Sequence, residues 1–327
     1  MTLTAFLHGY PPDWSMGGEI STHRTLNTVP GATVFAQTAT EGYTFDNVTV
    51  LPSSGSTMRD IIADAESVGS RILYAHSTLS RNTVQAARRL RIPSILAVHA
   101  PLRFAADIRQ ARHASTVRLY NTEAARRDWH EPNGWLLHPP VGIPQEEVEG
   151  ARDALTLTSS LLNKGVTQTL ELARKWPHRR FIIVRSPAHG THGSPDFEET
   201  AASLDNVEVW DRLHPSRMSE LWAETRVLLV PSRYETYGLS AIEAAWHGIP
   251  SVHVDTIHVR EGIGTAARLI YSQTTEELED AVTEVEGDYT RWAAIAHSRA
   301  HELRRREIEE LNRFAGNVAN LMNYQRL

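Results

Sequence analysis

"RVLLVPSRYETYGLSAIEAAWHGIPSVHV", residues 226–254, changes its hydrophobic period twice. "RVLLV" is a short apolar run closed by Pro231 and Ser232, the pattern of a buried strand. Leu239, Ile242, Ala245 and Trp246 then recur at helical spacing until Gly248 and Pro250 stop the helix, and "PSVHV" begins another strand. Outside this stretch β-rich runs alternate with helical patterns in the same way, the signature of parallel sheets covered by helices. "LTAFLHG", "ATVFA", "ILYAH", "SILAVH", "VRLYN" and "WLLH" read as one set of strands, and "ALTLTS", "FIIVRS", "VEVW", "RVLLVPS", "PSVHV" and "ARLI" as a second.

Two carboxylates stand out in the opening stretch. Glu235 falls in the loop before the helix and Glu243 in its second turn. Ligands of open α/β sheets bind at the carboxyl ends of the strands, where this loop lies. The N–H groups of Tyr237, Gly238 and Leu239 point out of the helix start and suit a phosphate, and Gly238 permits close approach. A carboxylate against a diphosphate is unfavourable, whereas one slightly further out can accept hydrogen bonds from sugar hydroxyls. Glu243 on a ribose and Glu235 on a transferred sugar fit that arrangement. The plainer alternative is that Glu235 caps the helix and Glu243 pairs on its exposed face.

With 327 residues, 41% of them hydrophobic, the chain exceeds what one core usually supports, so two domains of roughly 150 residues are expected. "HPPVGIP" interrupts helix and sheet alike and places a linker around residues 138–152. The expected division is 1–140, 141–300 and a C-terminal helix over 301–327 that returns to the first domain. After Gly287 the sequence is long, amphipathic and nearly free of breakers, and before it "TTEELEDAVTEVEG" begins with Thr274 or Thr275 as a cap and acids in the first turn.

No apolar run approaches the roughly 20 residues of a membrane span, and the N-terminus lacks the features of a leader, so the expectation is a cytoplasmic protein. The absence of cysteine excludes disulfides and thiolate metal sites. A net charge of −6 argues against general nucleic-acid binding. The charge is uneven, however: residues 81–127 hold ten arginines against Asp107 and Glu123 alone. That segment could meet DNA phosphates or an anionic membrane surface. The chain also has 31 arginines against two lysines, as a GC-rich genome would produce, and a solvated face is the simpler account.

Further positions suit phosphate. Lys164-Gly165 opens a helix after the first strand of the second half, and Gly17-Gly18 opens one after the first strand of the chain. Taken in order, "PPDWSMGGE", "AVHAP", "NKGVTQTLELA" and "PSRYETYGLSAIEAAWHGIPSV" resemble the retaining glycosyltransferases of family four, including the family's two glutamates with seven residues between them. The chain is also similar to compact glycosyltransferases of actinobacterial phages. The resemblance implies a GT-B fold, two Rossmann-like parallel-sheet domains facing across a cleft, and sugar transfer from a nucleotide diphosphate to an acceptor hydroxyl. It implies that Glu235 contacts the donor sugar, Glu243 the ribose, and Tyr237, Gly238 and Leu239 the diphosphate. Lys164 would neutralise the leaving group, Gly17 and Gly18 would close on it, and His99 would face the sugar.

The family usually has an arginine five or six residues before the lysine, where this chain has Thr158 and Ser159. A hydroxyl of Ser159 can hydrogen-bond a phosphate without neutralising it, so more would rest on Lys164, on Arg185 or Arg212, or on helix dipoles. The chain has no Asp-x-Asp pair to hold a divalent cation, and no cofactor or metal is expected. "GIGTAA" at 262–267 imitates a dinucleotide fingerprint without its context. His297 and His301 lack the zincin glutamate and read as a packed or solvated helix face, and "HGTHG" around His189 and His192 reads as a loop near the cleft. A sugar-nucleotide epimerase of the same fold and a non-catalytic nucleotide-sugar binder are the competing readings.

Overall fold

The computed structural model describes residues 2–12, 17–99, 106–142, 148–186 and 196–323. The chain divides into two compact units, Met1–Gly142 with Arg305–Leu327, and Ile143–Arg304.

The first unit is built on an eight-stranded sheet. In chain order its strands are β1 Thr2–Leu7, β2 Thr33–Ala36, β3 Tyr43–Phe45, β4 Val48–Pro52, β5 Ser70–Ala75, β6 Ser94–Val98, β7 Val117–Tyr120 and β8 Trp135–Leu136. Their spatial order is β3-β4-β2-β1-β5-β6-β7-β8. The helices are α1 Gly17–Leu26, α2 Met58–Ser67, α3 Ser80–Leu90, α4 Ala106–Arg112 and α5 Glu123–Asp128. All pairings are parallel except that of β3 with β4, and this hairpin escaped the sequence reading because three residues at a sheet edge carry too little period to register. The order reverses between β1 and β5, which makes the ends of these strands the switch point of the sheet.

The second unit holds β9 Ala154–Leu157, β10 Phe181–Val184, β11 Val207–Trp210, β12 Thr225–Val230, β13 Ser251–Val254 and β14 Arg268–Ile270. They form a six-stranded sheet in the order β11-β10-β9-β12-β13-β14, parallel throughout. Its switch point lies between β9 and β12. The helices are α6 Val166–Lys175, α7 Phe197–Ala202, α8 Met218–Glu224, α9 Leu239–Trp246 and α10 Thr275–Gly287. Thr274 caps α10 by accepting a hydrogen bond from the Glu277 N–H. "GIGTAA" holds one short 3-10 turn, Gly264–Ala266, and no α-helix.

Covering both faces explains why the strands read as unbroken apolar runs. All four or five residues of β2, β6, β9, β10 and β13 are buried. A last helix, α11 Tyr289–Asn323, passes from the second unit into the first. Phe314, Val318 and Met322, four residues apart, form its buried stripe and join Leu3, Ala5 and Leu7 of β1 in one core. Its polar anchors are also buried. Glu310 accepts hydrogen bonds from the His138 N–H (2.8 Å) and Nδ1 (2.9 Å), and Glu307 accepts one from the Val141 N–H (3.0 Å).

Candidate functional site

In the second unit, two connections leave adjacent strands at the switch point. After β9 the chain makes a 3-10 turn over Leu162–Lys164 and enters α6 through Gly165. After β12 it loops through Glu235 and enters α9 through Gly238. The two helix entries are alike: the N-cap is glycine in the left-handed region, with φ 86° at Gly165 and 84° at Gly238, and no side chain caps either helix. Both therefore present free backbone N–H groups and the positive end of the dipole. The usual Ser, Thr, Asp or Asn cap would satisfy those donors internally.

The loops are locked together. The Arg233 N–H donates to the Asn163 carbonyl over 2.9 Å. A Cβ on Gly165 would stand 2.4 Å from Pro231 Cγ, so only glycine lets the loops approach this closely. Across the junction Lys164 Nζ donates to Glu235 Oε2 at 2.8 Å, and Glu235 Oε1 accepts from the Thr236 N–H at 3.0 Å. Burial pushes the Glu235 carboxyl up, but the charge and hydrogen bond of Lys164, with His253 and the Thr236 N–H, outweigh it and hold the group below the usual carboxylate range.

The other expected residues of this unit lie on the same two connections. Tyr237 is buried, Leu239 and Ser159 are half-buried, and Glu243 lies half-buried in the second turn of α9. Ser160, next to Ser159, accepts a hydrogen bond from the Ser186 N–H and so ties the ends of β9 and β10. Arg185, one of the arginines suggested for the role of the missing one, is ion-paired in this structure. It is held by two carboxylates, Glu198 and Asp211, both on the exposed side. His189 and His192 lie outside the described residues.

Sequence reasoning passed over one residue here. His253, central in β13, is fully buried, with its Nε2 only 3.0 Å from where a Gly238 Cβ would be. Burial holds it down to about 4. A histidine between two valines in an apolar strand carries no signal that distinguishes it from a core residue.

Gly17, Gly18 and His99 belong to the first unit. Gly17 and Gly18 begin α1, and His99 follows β6. Between them lies His76, unremarked in the sequence, at the end of β5 and therefore at the switch point of this sheet. Its ring stands edge-on to His99 with centroids 4.9 Å apart, and a Cβ on Gly18 would meet it at 3.5 Å. Burial depresses His76 to about 3, with His99 adding to the effect, and depresses His99 to about 4. Both rings are therefore neutral near pH 7. His76 Nδ1 and His99 Nε2 are shut off from solvent and have no hydrogen-bond partner among the described residues, and ligand atoms could satisfy them.

Part of the arginine-rich segment serves the fold. Arg118 pairs with Glu131, Arg126 with Glu123, and Arg112 lies over the Trp129 ring. Arg81, Arg88, Arg89, Arg91, Arg109 and Arg127 are exposed. His297 and His301 pack on Trp246, the latter at 4.3 Å between centroids. Among the described residues no group of three or more His, Asp or Glu side chains could hold a metal ion, and no helix is long and apolar enough to cross a membrane.

Comparison with known proteins bears on this geometry. Residues 154–288 match the family model "Glycosyl transferases group 1", a span that contains Lys164, Glu235 and Glu243. The D-inositol 3-phosphate glycosyltransferase of Nocardia farcinica is 31% identical over 150 residues, 41% of this chain and 32% of that protein. The chain thus spans about a third of the length of the curated relatives it matches. Among solved structures, Anabaena HepE in complex with UDP and glucose superposes with a TM-score of 0.73 at 15% identity, covering 98% of this chain and 99% of that one. Sucrose-phosphate synthase of Thermosynechococcus elongatus gives 0.75 at 14% identity, covering 99% of each. The fold is GT-B, with two parallel-sheet α/β domains.

Proposed function

We propose that the protein is a retaining glycosyltransferase that moves a sugar from a nucleotide diphosphate to an acceptor hydroxyl. The observation that carries this reading is the convergence, at one switch point, of two uncapped helix entries with Lys164 and Glu235. A diphosphate is the ligand that would use both sets of N–H donors and the ammonium together. Glycosyltransferase relatives and the UDP held by HepE agree with it.

The chemistry follows from where charge develops. As the bond from the sugar C1 to the phosphate oxygen breaks, negative charge grows on the leaving diphosphate. Lys164 and the entries of α6 and α9 stabilise that charge. Glu243 takes the ribose and Glu235 the transferred sugar, while His99 keeps its implied role toward that sugar. Retention would follow if the leaving phosphate accepts the acceptor's proton on the face it departs from. With no Asp-x-Asp pair in the chain, stabilisation is assigned to these groups and turnover is expected to be metal-independent. The exposed arginines of α3 suit an anionic acceptor, DNA included.

The test is incubation of the chain with UDP-, GDP-, ADP- and dTDP-sugars in EDTA, followed by mass spectrometry. Slow release of one nucleoside diphosphate, lost in Lys164→Ala and Glu235→Ala, supports the reading. An isomerised sugar released without acceptor would instead identify an epimerase, and binding without turnover under every acceptor a nucleotide-sugar binder.

A further inference from the structure

His253 sits directly behind the proposed diphosphate site. Val252 and Val254 point into the core shared with Leu278 and Val282 of α10, so the alternation of the strand turns His253 to the opposite face, toward Gly238 at the entry of α9. Neither ring nitrogen reaches a described partner at hydrogen-bond geometry. The polar groups that act on it are the Glu235 carboxylate and the Val254 backbone, which favour its protonated form, and Lys164, which opposes it. Asp255, two residues on, is engaged by Arg260.

Lys164 therefore has two effects in this structure. It neutralises Glu235, and it helps to keep His253 uncharged. A diphosphate at the two helix entries competes for the same ammonium. Once Lys164 turns to the phosphate, Glu235 is left as a largely buried carboxylate without its cation, and a second anion has arrived beside it. A lone buried charge is costly, and the buried imidazole of His253, which already interacts with that charge, is a group able to relieve it.

Resting on the donor reading above, we propose that His253 is a positioning residue for Glu235. When a nucleoside diphosphate draws Lys164 away, His253 takes up one proton from solvent and replaces the ammonium as counter-ion of the carboxylate. Glu235 then keeps its charge and its place beside the sugar throughout the exchange.

The experiment is calorimetric titration of the full chain with UDP near pH 6, in buffers of differing ionisation enthalpy. Because the terminal phosphate of UDP itself titrates near this pH, the readout is a difference: the wild type should take up close to one proton more per UDP bound than His253→Gln and His253→Asn. Equal proton exchange in the wild type and in a folded His253 variant that binds UDP overturns the proposal. A second arm needs no donor: in ligand-free Lys164→Met, histidine NMR should show the His253 midpoint raised by about one unit or more over wild type. An unmoved midpoint overturns the coupling. Failure of UDP to bind with the midpoint raised would overturn the UDP-donor assignment and leave the coupling of His253, Lys164 and Glu235 supported.

Discussion

Lys164 and Glu235, 71 residues apart in sequence, meet through a 2.8 Å hydrogen bond that bridges the connections leaving β9 and β12. Lys164 is thus paired with a carboxylate. On the proposed function, an incoming diphosphate displaces one anion to gain the cation. This sets opposite expectations for the two partners.

Removing the anion should free the cation. Glu235→Gln is expected to bind UDP as tightly as wild type or several-fold more tightly, while donor consumption falls about a hundredfold. Lys164→Ala should weaken UDP by about ten- to a hundredfold, as loss of a charge-assisted hydrogen bond implies. Calorimetry and nucleotide release on the same preparations separate the two. Weaker UDP binding in Glu235→Gln would contradict the exchange.

The two helix entries should differ in tolerance although their glycines share nearly the same φ. Gly165→Ala drives a Cβ to 2.4 Å from Pro231 Cγ and 2.8 Å from its carbonyl oxygen, whereas Gly238→Ala meets only the His253 ring, at 3.0 Å. Left-handed backbone costs either alanine about 1–2 kcal/mol. Gly165→Ala carries an added clash with backbone and should lower the urea midpoint further. Equal losses would show that the loops can separate freely.

Arg185 offers a negative control. Because Glu198 and Asp211 hold it, Arg185→Ala should leave UDP affinity within about twofold of wild type. A tenfold loss would mean that it turns into the site when the nucleotide binds.

Acid should undock the C-terminal helix. Burial pushes Glu310 up, but its hydrogen bonds and charge interaction with His138 outweigh that and hold it below the usual carboxylate range. A depressed folded value means that Glu310 stabilises the fold fully above the ordinary carboxylate range, and that this contribution is lost as pH falls through the folded value. Glu310→Ala should cost about 3 kcal/mol near pH 7, by stranding the buried His138 donors. It should also flatten the acid limb of stability between pH 5 and 3. Urea denaturation across that range measures both effects, and an unchanged acid limb would assign the anchor elsewhere.

Much of the second unit could be read directly from the chain, because its information is local. The strand, loop and helix over residues 226–248 follow from one change of period, a proline and two glycines, and these also place Glu235 before the helix and Glu243 in its second turn. The remainder depended on pairing between distant segments. "VHV" in β13 reads as core, and only its position beside β12 sets His253 beneath Gly238. The same holds for His76, which meets His99 because β5 lies next to β6. Nothing local in "RRREIEELNRF" sets Glu307 and Glu310 apart from its other charges, yet both are buried, accepting hydrogen bonds from the backbone N–H groups of Val141 and His138. Periodicity, caps and breakers are properties of neighbours in sequence, so the chain alone determined the elements and which end of each strand would carry chemistry. Which side chains share a site, and which charges pair there, was decided by strand order and by the exclusion of water, and these exist only once the sheet is assembled.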